Sequence, residues 1–397
     1  MTRFEHDSFI SGIGQSTIGR RLGRSAIELT TQSCLAAIAD AGLTAADIDG
    51  LSTYPGGDAA ATAGYGGPPP ATVQDALRLS LNWYQGSAEL PGQLGSLVAA
   101  AMAISAGLCR HVLVYRTVTE SSAQGAQGRG AVLPSAVSEV SGLNYWTAPF
   151  GAVSAVNWLA PLATRYFHEF GATREQLGAV AVTQRRYAQH NPRAPLQTPL
   201  TLDDYLAARM ISTPLCLLDC DLPVDGSTAF VLSHAACARD RPNPPVFIDA
   251  VGTAMRGRPS WDQYDDLTSM AAGGAAAHLW ERSSLWPDDV DAAQLYDGFS
   301  ILVLVWLEAL GFCTRGGAAE FAASGELSAG GRLPTNTFGG QLSAGRLHGF
   351  GHLHEACTQI RGAAGARQLT PAPKVVAVAN GGGPIAGCVL LAAEPVP

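Results

Sequence analysis

The chain has 397 residues, of which 47% are hydrophobic and 15% are charged, and its 45 glycines form no low-complexity tract. This composition excludes a disordered chain or a fibre, and the length predicts two or three domains. The formal net charge of −8 argues against a nucleic-acid polyanion as the main partner.

The N-terminal segment is typical of a short strand that runs into glycines, without the basic and apolar regions of a signal peptide. The longest apolar stretches, residues 96–108 and 301–312, are too short to span a bilayer. The eight cysteines lie in apolar segments without paired spacing, which indicates reduced thiols rather than a disulfide framework or a metal site. We therefore expect a cytoplasmic protein without a membrane span or a bound metal.

An internal repeat at an offset of 242 positions sets the expected architecture. A helical run over 26–41 leads through the turn LTAADID to an apolar strand that ends in Tyr54. A second run over 270–284 leads through the matching turn LWPDDVD to a strand that ends in Tyr296. A repeated unit of this length indicates two similar α/β halves.

The same order of helix and strand recurs later in each half. A helix over 95–106 precedes a strand over 111–115, and a helix over 349–361 precedes a strand over 374–379. Alternating helices and continuous apolar strands predict parallel sheets that are covered on both faces.

The predicted halves span residues 1–240 and 245–397. The first is longer by an insertion from about 117 to 213, which is helical around 155–170 and 174–190. Long insertions often cover active sites, and ligands in such sheets gather at the carboxyl ends of strands. Three loops that follow strands are therefore candidate sites: those after Tyr115, Tyr296 and Ala379.

Four segments carry the remaining information. They read DCDLPVDGSTAF at 219–230, YDGFS at 296–300, LPTNTFGGQLSAGRLHG at 333–349 and NGGG at 380–383. Together they resemble the thiolase superfamily, and within it the sterol-carrier or non-specific lipid-transfer branch that includes bacterial steroid side-chain aldolases. The resemblance covers nearly the whole chain. It implies a thiolase fold, in which two similar α/β halves form five layers in the order α/β/α/β/α.

The thiols of thiolase chemistry are missing. The resemblance implies a nucleophilic Cys before the helix at 95–106 and a second Cys at the opening of the final glycine loop, but these positions hold Leu90 and Ala379. An acyl-enzyme route needs an activated sulfur nucleophile, so the sequence argues against Claisen condensation. Ser87 is an alternative nucleophile, although no His lies near it in the sequence.

Breaking a carbon–carbon bond beside a thioester needs a base for a β-hydroxyl proton. Tyr296 is the candidate, with the cation Arg346 favouring its ionised form. In the aldolases that the chain resembles, a Tyr occupies the position of Tyr296 and a second Tyr that of Arg346. His348 is a candidate for proton transfer together with Arg346, or for orienting the substrate. Asp297 either orients a neighbouring base or caps a helix.

The reaction also needs donors for the enolate oxygen. Glycine lets the backbone approach a ligand closely, so the candidates are amides in two loops: Gly339, Gly340, Asn380, Gly381 and Gly382. We interpret the two neighbouring histidines, His352 and His354, as packing residues.

The loop over 120–151 is expected to wall an apolar pocket through three aromatic side chains, Tyr145, Trp146 and Phe150. The resemblance further implies a dimer with a hydrophobic interface formed by the first half, and an accessory protein with an OB fold and a zinc ribbon. Coenzyme A enters as part of the substrate, and no permanently bound cofactor is expected.

Three functions remain open from the sequence. The favoured one is retro-aldol cleavage of a β-hydroxyacyl-coenzyme A whose acyl group is bulky and apolar, such as a steroid side chain. The second is an acyltransferase or β-ketothiolase-like reaction that uses Ser87 or coenzyme A itself as nucleophile. The third is a non-catalytic thiolase-like subunit or lipid carrier.

Overall fold

The structure, a computed structural model, describes residues 3–55, 63–86, 94–125, 144–152, 154–240, 242–257, 261 and 264–396. Its strands are β1 Ser8–Gln15, β2 Gly50–Thr53, β3 Trp83–Gly86, β4 His111–Thr119, β5 Met210–Ser212, β6 Leu215–Cys216, β7 Asp225–His234, β8 Val246–Met255, β9 Ala292–Leu295, β10 Val375–Gly381 and β11 Ile385–Ala392.

The helices are α1 Ala26–Asp40, α2 Pro70–Leu77, α3 Gly95–Ser105, α4 Glu120–Gln124, α5 Asn144–Thr147, α6 Ala155–Phe170, α7 Arg174–Ala188, α8 Leu202–Leu206, α9 Met270–Trp280, α10 Ser300–Ala309, α11 Ala318–Ala323, α12 Gly340–Ser343 and α13 Phe350–Ile360. Within the described ranges, no helix is long and apolar enough to cross a membrane.

Nine strands form one sheet in the order β3-β2-β4-β7-β1-β8-β11-β10-β9. The order β2-β4-β7-β1 in the first half matches β9-β10-β11-β8 in the second, as the sequence repeat predicts. The pairs β2–β3, β2–β4 and β9–β10 are parallel, and the other neighbours are antiparallel. The prediction of parallel sheets is therefore wrong for the inner strands. Its cause is that β10 and β11 form a hairpin, which needs no crossover helix.

Successive strand residues alternate between two layers of helices. Val112 in β4 and Val378 in β10 both pack with α3 and α13, whereas Leu113 packs with α1 and α2, and Ala379 with α9 and α10. Helices α3 and α13 thus lie between the two halves of the sheet. The predicted five layers follow, and the boundaries at residues 240 and 245 stay a prediction.

The insertion contains α4 to α8 and the small hairpin of β5 and β6. Gly171, with a φ of 68°, ends α6, and Thr173 accepts a hydrogen bond from the amide of Gln176 to cap α7. These signals explain why the two helices are among the elements that the sequence predicts most closely.

Candidate active site

The predicted site residues follow the carboxyl ends of β9 and β10, and they meet the end of β4. Tyr296 comes directly after β9, and its amide donates to the Ala379 carbonyl of β10 at 3.0 Å. The side chain is half-buried. Burial and then the Asp221 carboxylate raise the pKa of Tyr296, although Arg346 acts in the opposite direction. Arg346 favours the phenolate, but burial and Asp221 outweigh it, so the neutral phenol is the favoured form.

Arg346 is paired with two carboxylates, Glu120 and Asp221. Its Nε donates to Glu120 Oε2 at 3.0 Å, its Nη2 donates to Glu120 Oε1, and its Nη1 lies 3.3 Å from Asp221 Oδ2. Burial opposes ionisation of both partners, yet the ion pairs raise the pKa of Arg346, and Arg346 lowers the pKa of Glu120 to about 2. Arg346 is thus a permanent cation that cannot take a proton from a substrate.

His348 is buried and neutral. Its Nδ1 lies 3.1 Å from Arg116 Nη2, and because a guanidinium only donates, Nδ1 accepts and the proton lies on Nε2. Nε2 is 3.5 Å from Glu120 Oε2. Burial and the nearby Arg116 charge lower the pKa of His348 to about 3. The geometry therefore does not support His348 as a base, and its ring instead connects Arg116 to the Arg346 ion pair.

The first half adds two phenols and a cation that the sequence analysis missed. Arg116 is fully buried, and its guanidinium carbon lies 4.9 Å from the ring centroid of Tyr65 and 5.7 Å from that of Tyr54. The two hydroxyl oxygens of these tyrosines are 3.2 Å apart. The Tyr65 ring also packs edge-on to His348, at 4.5 Å between centroids. Tyr54 carries a signal that would have found it, because it is the repeat equivalent of Tyr296.

Asp297 caps a helix, which is one of the roles that the sequence offered. Its fully buried carboxylate accepts hydrogen bonds from the amides of Gln341 at 3.0 Å and Leu342 at 3.3 Å, at the start of α12. It also lies 2.9 Å from Nε2 of His352. His352 is itself fully buried and packs edge-on to Phe338, with 5.2 Å between ring centroids.

The two predicted glycine loops are shaped by their own backbone contacts. Gly340 has a φ of 60°, and a Cβ there would lie 2.1 Å from Asp297 Oδ2. The Gly339 amide donates to the Asn336 carbonyl at 2.9 Å, and the Gly382 amide donates to the Ile385 carbonyl at 3.3 Å. The amides of Gly339 and Gly382 are therefore engaged within the protein.

Gly381 and Asn380, in the same final loop, differ in their hydrogen bonding. The Gly381 carbonyl accepts a hydrogen bond from Trp306 Nε1 at 3.2 Å. The Asn380 side chain is fully buried, and neither its Oδ1 nor its Nδ2 has a hydrogen-bond partner in the described part of the chain. The sequence analysis predicted backbone amides as the enolate donors; the Asn380 side-chain amide, which it did not consider, is a donor without a partner in the described part of the chain.

A cavity of about 660 Å³ opens beside Asp221, lined mostly by the insertion and its neighbours in the first half, with Leu342 from the second half. Its lining includes apolar side chains and three arginines: Val156, Ile211, Leu217, Leu218, Leu342, Arg20, Arg21 and Arg209. The prediction that Tyr145, Trp146 and Phe150 wall the pocket is wrong, because they are 62%, 65% and 85% exposed and do not line this cavity. The start of α6 and the chain from β5 to Pro223 form the wall instead.

Three of the sequence predictions fall on chain outside the described residues. They concern Ser87, the position of Leu90, and the part of the 120–151 loop over residues 126–143.

Comparisons with known proteins agree with this architecture. Residues 254–392 match the family model described as "Thiolase C-terminal domain-like". The chain is 37% identical over 396 residues to the "Steroid side-chain-cleaving aldolase" of Thermomonospora curvata, and the match covers 96% of this chain and 97% of the aldolase. This chain belongs to the thiolase-like family of steroid side-chain-cleaving aldolases.

Two further relatives cover nearly the whole chain. The "17-hydroxy-3-oxo-4-pregnene-20-carboxyl-CoA lyase" of Mycobacterium tuberculosis is 35% identical over 396 residues, covering 96% of this chain and 98% of the lyase. A solved structure described as "Ltp2-ChsH2(DUF35) aldolase" superposes with a TM-score of 0.85 at 35% identity, covering 98% of this chain and 99% of that one. The resemblance and the thiolase fold expected from the sequence are confirmed.

Proposed function

We propose that this protein cleaves a β-hydroxyacyl-coenzyme A by a retro-aldol reaction, releasing a carbonyl compound and a shorter acyl-coenzyme A. Its full-length relatives are named as an aldolase and a lyase. The observation that carries the proposal is the position of Tyr296, a phenol under the influence of Arg346 and of Asp221, which pairs with Arg346 and lines the cavity. The chain has no cysteine at either position where the thiolase resemblance implies one.

In this proposal, Tyr296, Asn380 and Arg346 have different roles in the reaction. Tyr296, the half-buried phenol at the end of β9, takes the β-hydroxyl proton in its phenolate form, which the Arg346 charge favours. The Asn380 side-chain amide donates to the thioester oxygen as negative charge develops there. Arg346 does not exchange a proton; its charge balances the buried carboxylates of Glu120 and Asp221, and this keeps the cluster ordered around Tyr296.

The cavity supports an acyl-coenzyme A with a bulky apolar acyl group. Its apolar wall suits a polycyclic or branched hydrocarbon. Arg20, Arg21 and Arg209 are exposed at the same cavity, and none of them forms an ion pair in the parts of the chain that are described. Guanidinium groups bind phosphates well, so these three suit the phosphates of coenzyme A. A steroid side chain is the acyl group that we propose.

The assembly is also part of this proposal. Strand β3 is the last strand of the sheet, and Tyr84 in it is 70% exposed. An open edge of this kind pairs readily with a second chain, which supports a homodimer formed through the first half. An accessory subunit with an OB fold and a zinc ribbon is supported by the solved relative, which is described together with a DUF35 protein.

The direct test is a cleavage assay with a steroid β-hydroxyacyl-coenzyme A, using the full chain alone and co-expressed with a DUF35 protein. We expect a ketone and a shorter acyl-coenzyme A by mass spectrometry, and no reaction of the matched substrate that lacks the β-hydroxyl group. Absence of cleavage in both preparations would overturn the proposal. An acylated protein that appears during turnover would favour the acyltransferase alternative.

A further inference from the structure

A further cavity of about 420 Å³ lies beside the segment that carries Arg346 and His348. Gly345 and Leu347 line this cavity, whereas Arg346 and His348, which alternate with them along the chain, face the ion-pair cluster of the proposed active site. The other walls come from the end of β1, from α1 and α13, and from the loop over 191–193. The cavity shares no lining residue with the 660 Å³ cavity and is therefore a separate space.

Two carboxylates line the cavity, and each is bound by an arginine of its own. Asp40 accepts hydrogen bonds from Arg361 Nη1 at 2.7 Å and from the Ile13 amide at 2.9 Å. Glu355 accepts from Arg367 Nε at 3.0 and 3.1 Å and lies 2.9 Å from Arg367 Nη2. The charges of both carboxylates are therefore balanced within the protein.

Arg193 adds a positive charge that is not balanced in this way. Its side chain is exposed at the cavity, where Nη1 donates to the neutral amide oxygen of Gln15 at 3.1 Å, and it forms no ion pair within the described ranges. A guanidinium carries five N–H donors in a planar fork that suits phosphate or carboxylate oxygens. Three arginines thus stand against two carboxylates, so the cavity favours an anion.

His354 provides a hydrogen-bond acceptor in the same cavity. Thr358 Oγ1 donates its one hydrogen to the His354 carbonyl at 2.7 Å, so it accepts from the ring Nδ1, which lies 3.3 Å away. The proton of the neutral ring is therefore on Nδ1, and Nε2 keeps a lone pair without a partner among the described residues. Burial and the charges of Arg193, Arg367 and Arg361 lower the pKa of His354 to about 3, so the neutral ring is the form near pH 7.

We propose that this cavity binds a small phosphate monoester, an oxyanion that can keep one proton. Arg193 donates to the charged oxygens, and His354 Nε2 accepts the hydrogen of the phosphate hydroxyl. Sulfate is a tetrahedral anion without a proton near neutral pH, so it lacks the donor for the second contact. Apolar side chains line other parts of the cavity and suit the organic group of the ester: Ile13, Ile18, Phe338 and Leu347.

Isothermal titration calorimetry of the full chain with phenyl phosphate tests the site, with sulfate as the comparison. At pH 6 about half of a phosphate monoester carries the proton. We expect saturable binding of phenyl phosphate that is at least about 10-fold tighter than that of sulfate, and a loss of about 10-fold in Arg193→Gln. The exposed Arg24→Gln, away from the cavity, is the matched control and binds as the wild type. No saturable binding, or equal binding by Arg193→Gln, would overturn the inference.

The ring of His354 gives a second readout by NMR. Its resonances are assigned by their loss in His354→Gln. Bound phenyl phosphate offsets the positive charges around the ring, so the pKa of His354 should rise from about 3. The carboxylates of Asp40 and Glu355 and the three arginines stay in place in this comparison of the same protein with and without ligand. A His354 titration that phenyl phosphate does not change would overturn the inference.

Coenzyme A also carries a phosphate monoester, so a competition experiment separates the two sources of this group. We expect coenzyme A to leave the binding of phenyl phosphate at this cavity unchanged. Displacement of phenyl phosphate by coenzyme A would overturn the inference, because the cavity would then belong to the substrate site, and the proposed function would stand.

Discussion

Tyr54 and Tyr296 are equivalent residues of the internal repeat, yet the two halves of the molecule give them different partners. Each follows a short buried strand, β2 or β9, and burial raises the pKa of both phenols. Tyr54 has its hydroxyl 3.2 Å from that of Tyr65 and its ring beside the Arg116 guanidinium. The pKa of Tyr296 is instead raised by the Asp221 carboxylate and lowered by Arg346.

The difference shows how a duplicated strand end acquires two roles. Tyr54 is hydrogen-bonded to another phenol, which is not a base, whereas Tyr296 is under the opposing influences of a carboxylate and a guanidinium. Tyr296 carries the proton transfer in our account. The first half supplies the buried Arg116 that holds His348 neutral.

The largest expected effect separates the two tyrosines directly. Tyr296→Phe should reduce kcat for cleavage by about 10²- to 10⁴-fold, because it removes the group that exchanges a proton with the substrate. Tyr54→Phe is the matched variant and should reduce kcat by less than about 10-fold. Steady-state kinetics on both proteins measure the contrast. A larger loss in Tyr54→Phe would reverse our assignment of the halves.

The two buried arginines should differ in their contribution to stability. Arg346→Met leaves Glu120 and Asp221 buried without their cation and should lower the free energy of unfolding by about 3–5 kcal/mol. Arg116→Met loses hydrogen bonds to a carbonyl and to His348 but leaves no carboxylate bound to it unpaired, so the cost should stay within about 2 kcal/mol. Urea unfolding of both variants measures the difference. Equal losses would show that the Arg346 ion pairs are not stronger than the contacts of Arg116.

Acidic pH should lower the free energy of unfolding through two histidines of the second half, His348 and His354. The pKa of His348 and that of His354 are about 3 in the folded protein, below the value near 6.5 of an unfolded histidine. The unfolded chain therefore binds more protons between these values, and stability falls as the pH drops below about 6.5, by about 1.4 kcal/mol per pH unit and histidine. Below about pH 4.5, protonation of Glu120 in the unfolded chain adds to the loss.

Urea unfolding at pH 7.5, 6.0 and 5.0 measures this slope, with His348→Gln as the comparison. The variant should lose less stability over the same range, because it lacks one of the two histidines. The same slope in both proteins would contradict the assignment of His348 as a neutral buried ring.

The smallest effect concerns the contact between the halves. Arg116→Met removes a positive charge beside His348, so the pKa of His348 should rise from about 3 toward its ordinary value, although burial continues to hold it down. NMR titration of the ring resonances follows this change. A pKa that does not move would show that Arg116 has no electrostatic influence on the ring.

Much of the fold could be predicted from the sequence because the signals for helices and strands are local or periodic. The repeat at an offset of 242 positions predicted two similar halves, and the strand order agrees with it. Gly171 ends α6, and Thr173 caps the start of α7. The place of Tyr296 at a strand end followed from the same repeat. The parallel sheets were predicted wrongly because apolar strands look alike in sequence whether a helix or a hairpin connects them.

The contacts around Tyr296 and Arg346 could not be predicted, because the residues that contact each other there are distant in the sequence. Arg346 contacts Glu120, 226 positions away, and also Asp221, and such ion pairs leave no periodic pattern. The sequence analysis included the cation of Arg346, but not the burial of Tyr296 or the Asp221 carboxylate, which together outweigh the effect of Arg346 on the Tyr296 pKa. The amides of Gly339 and Gly382 were likewise candidates only until their internal hydrogen bonds were known.

Exchange of the α-proton of the product acyl-coenzyme A with deuterated solvent tests the central claim most directly, because it reports proton transfer to and from the enolate alone. We predict that the wild-type protein and Tyr54→Phe exchange this proton at similar rates, followed by NMR, and that Tyr296→Phe does not exchange it above the uncatalysed rate. Exchange by Tyr296→Phe at the wild-type rate would contradict the account.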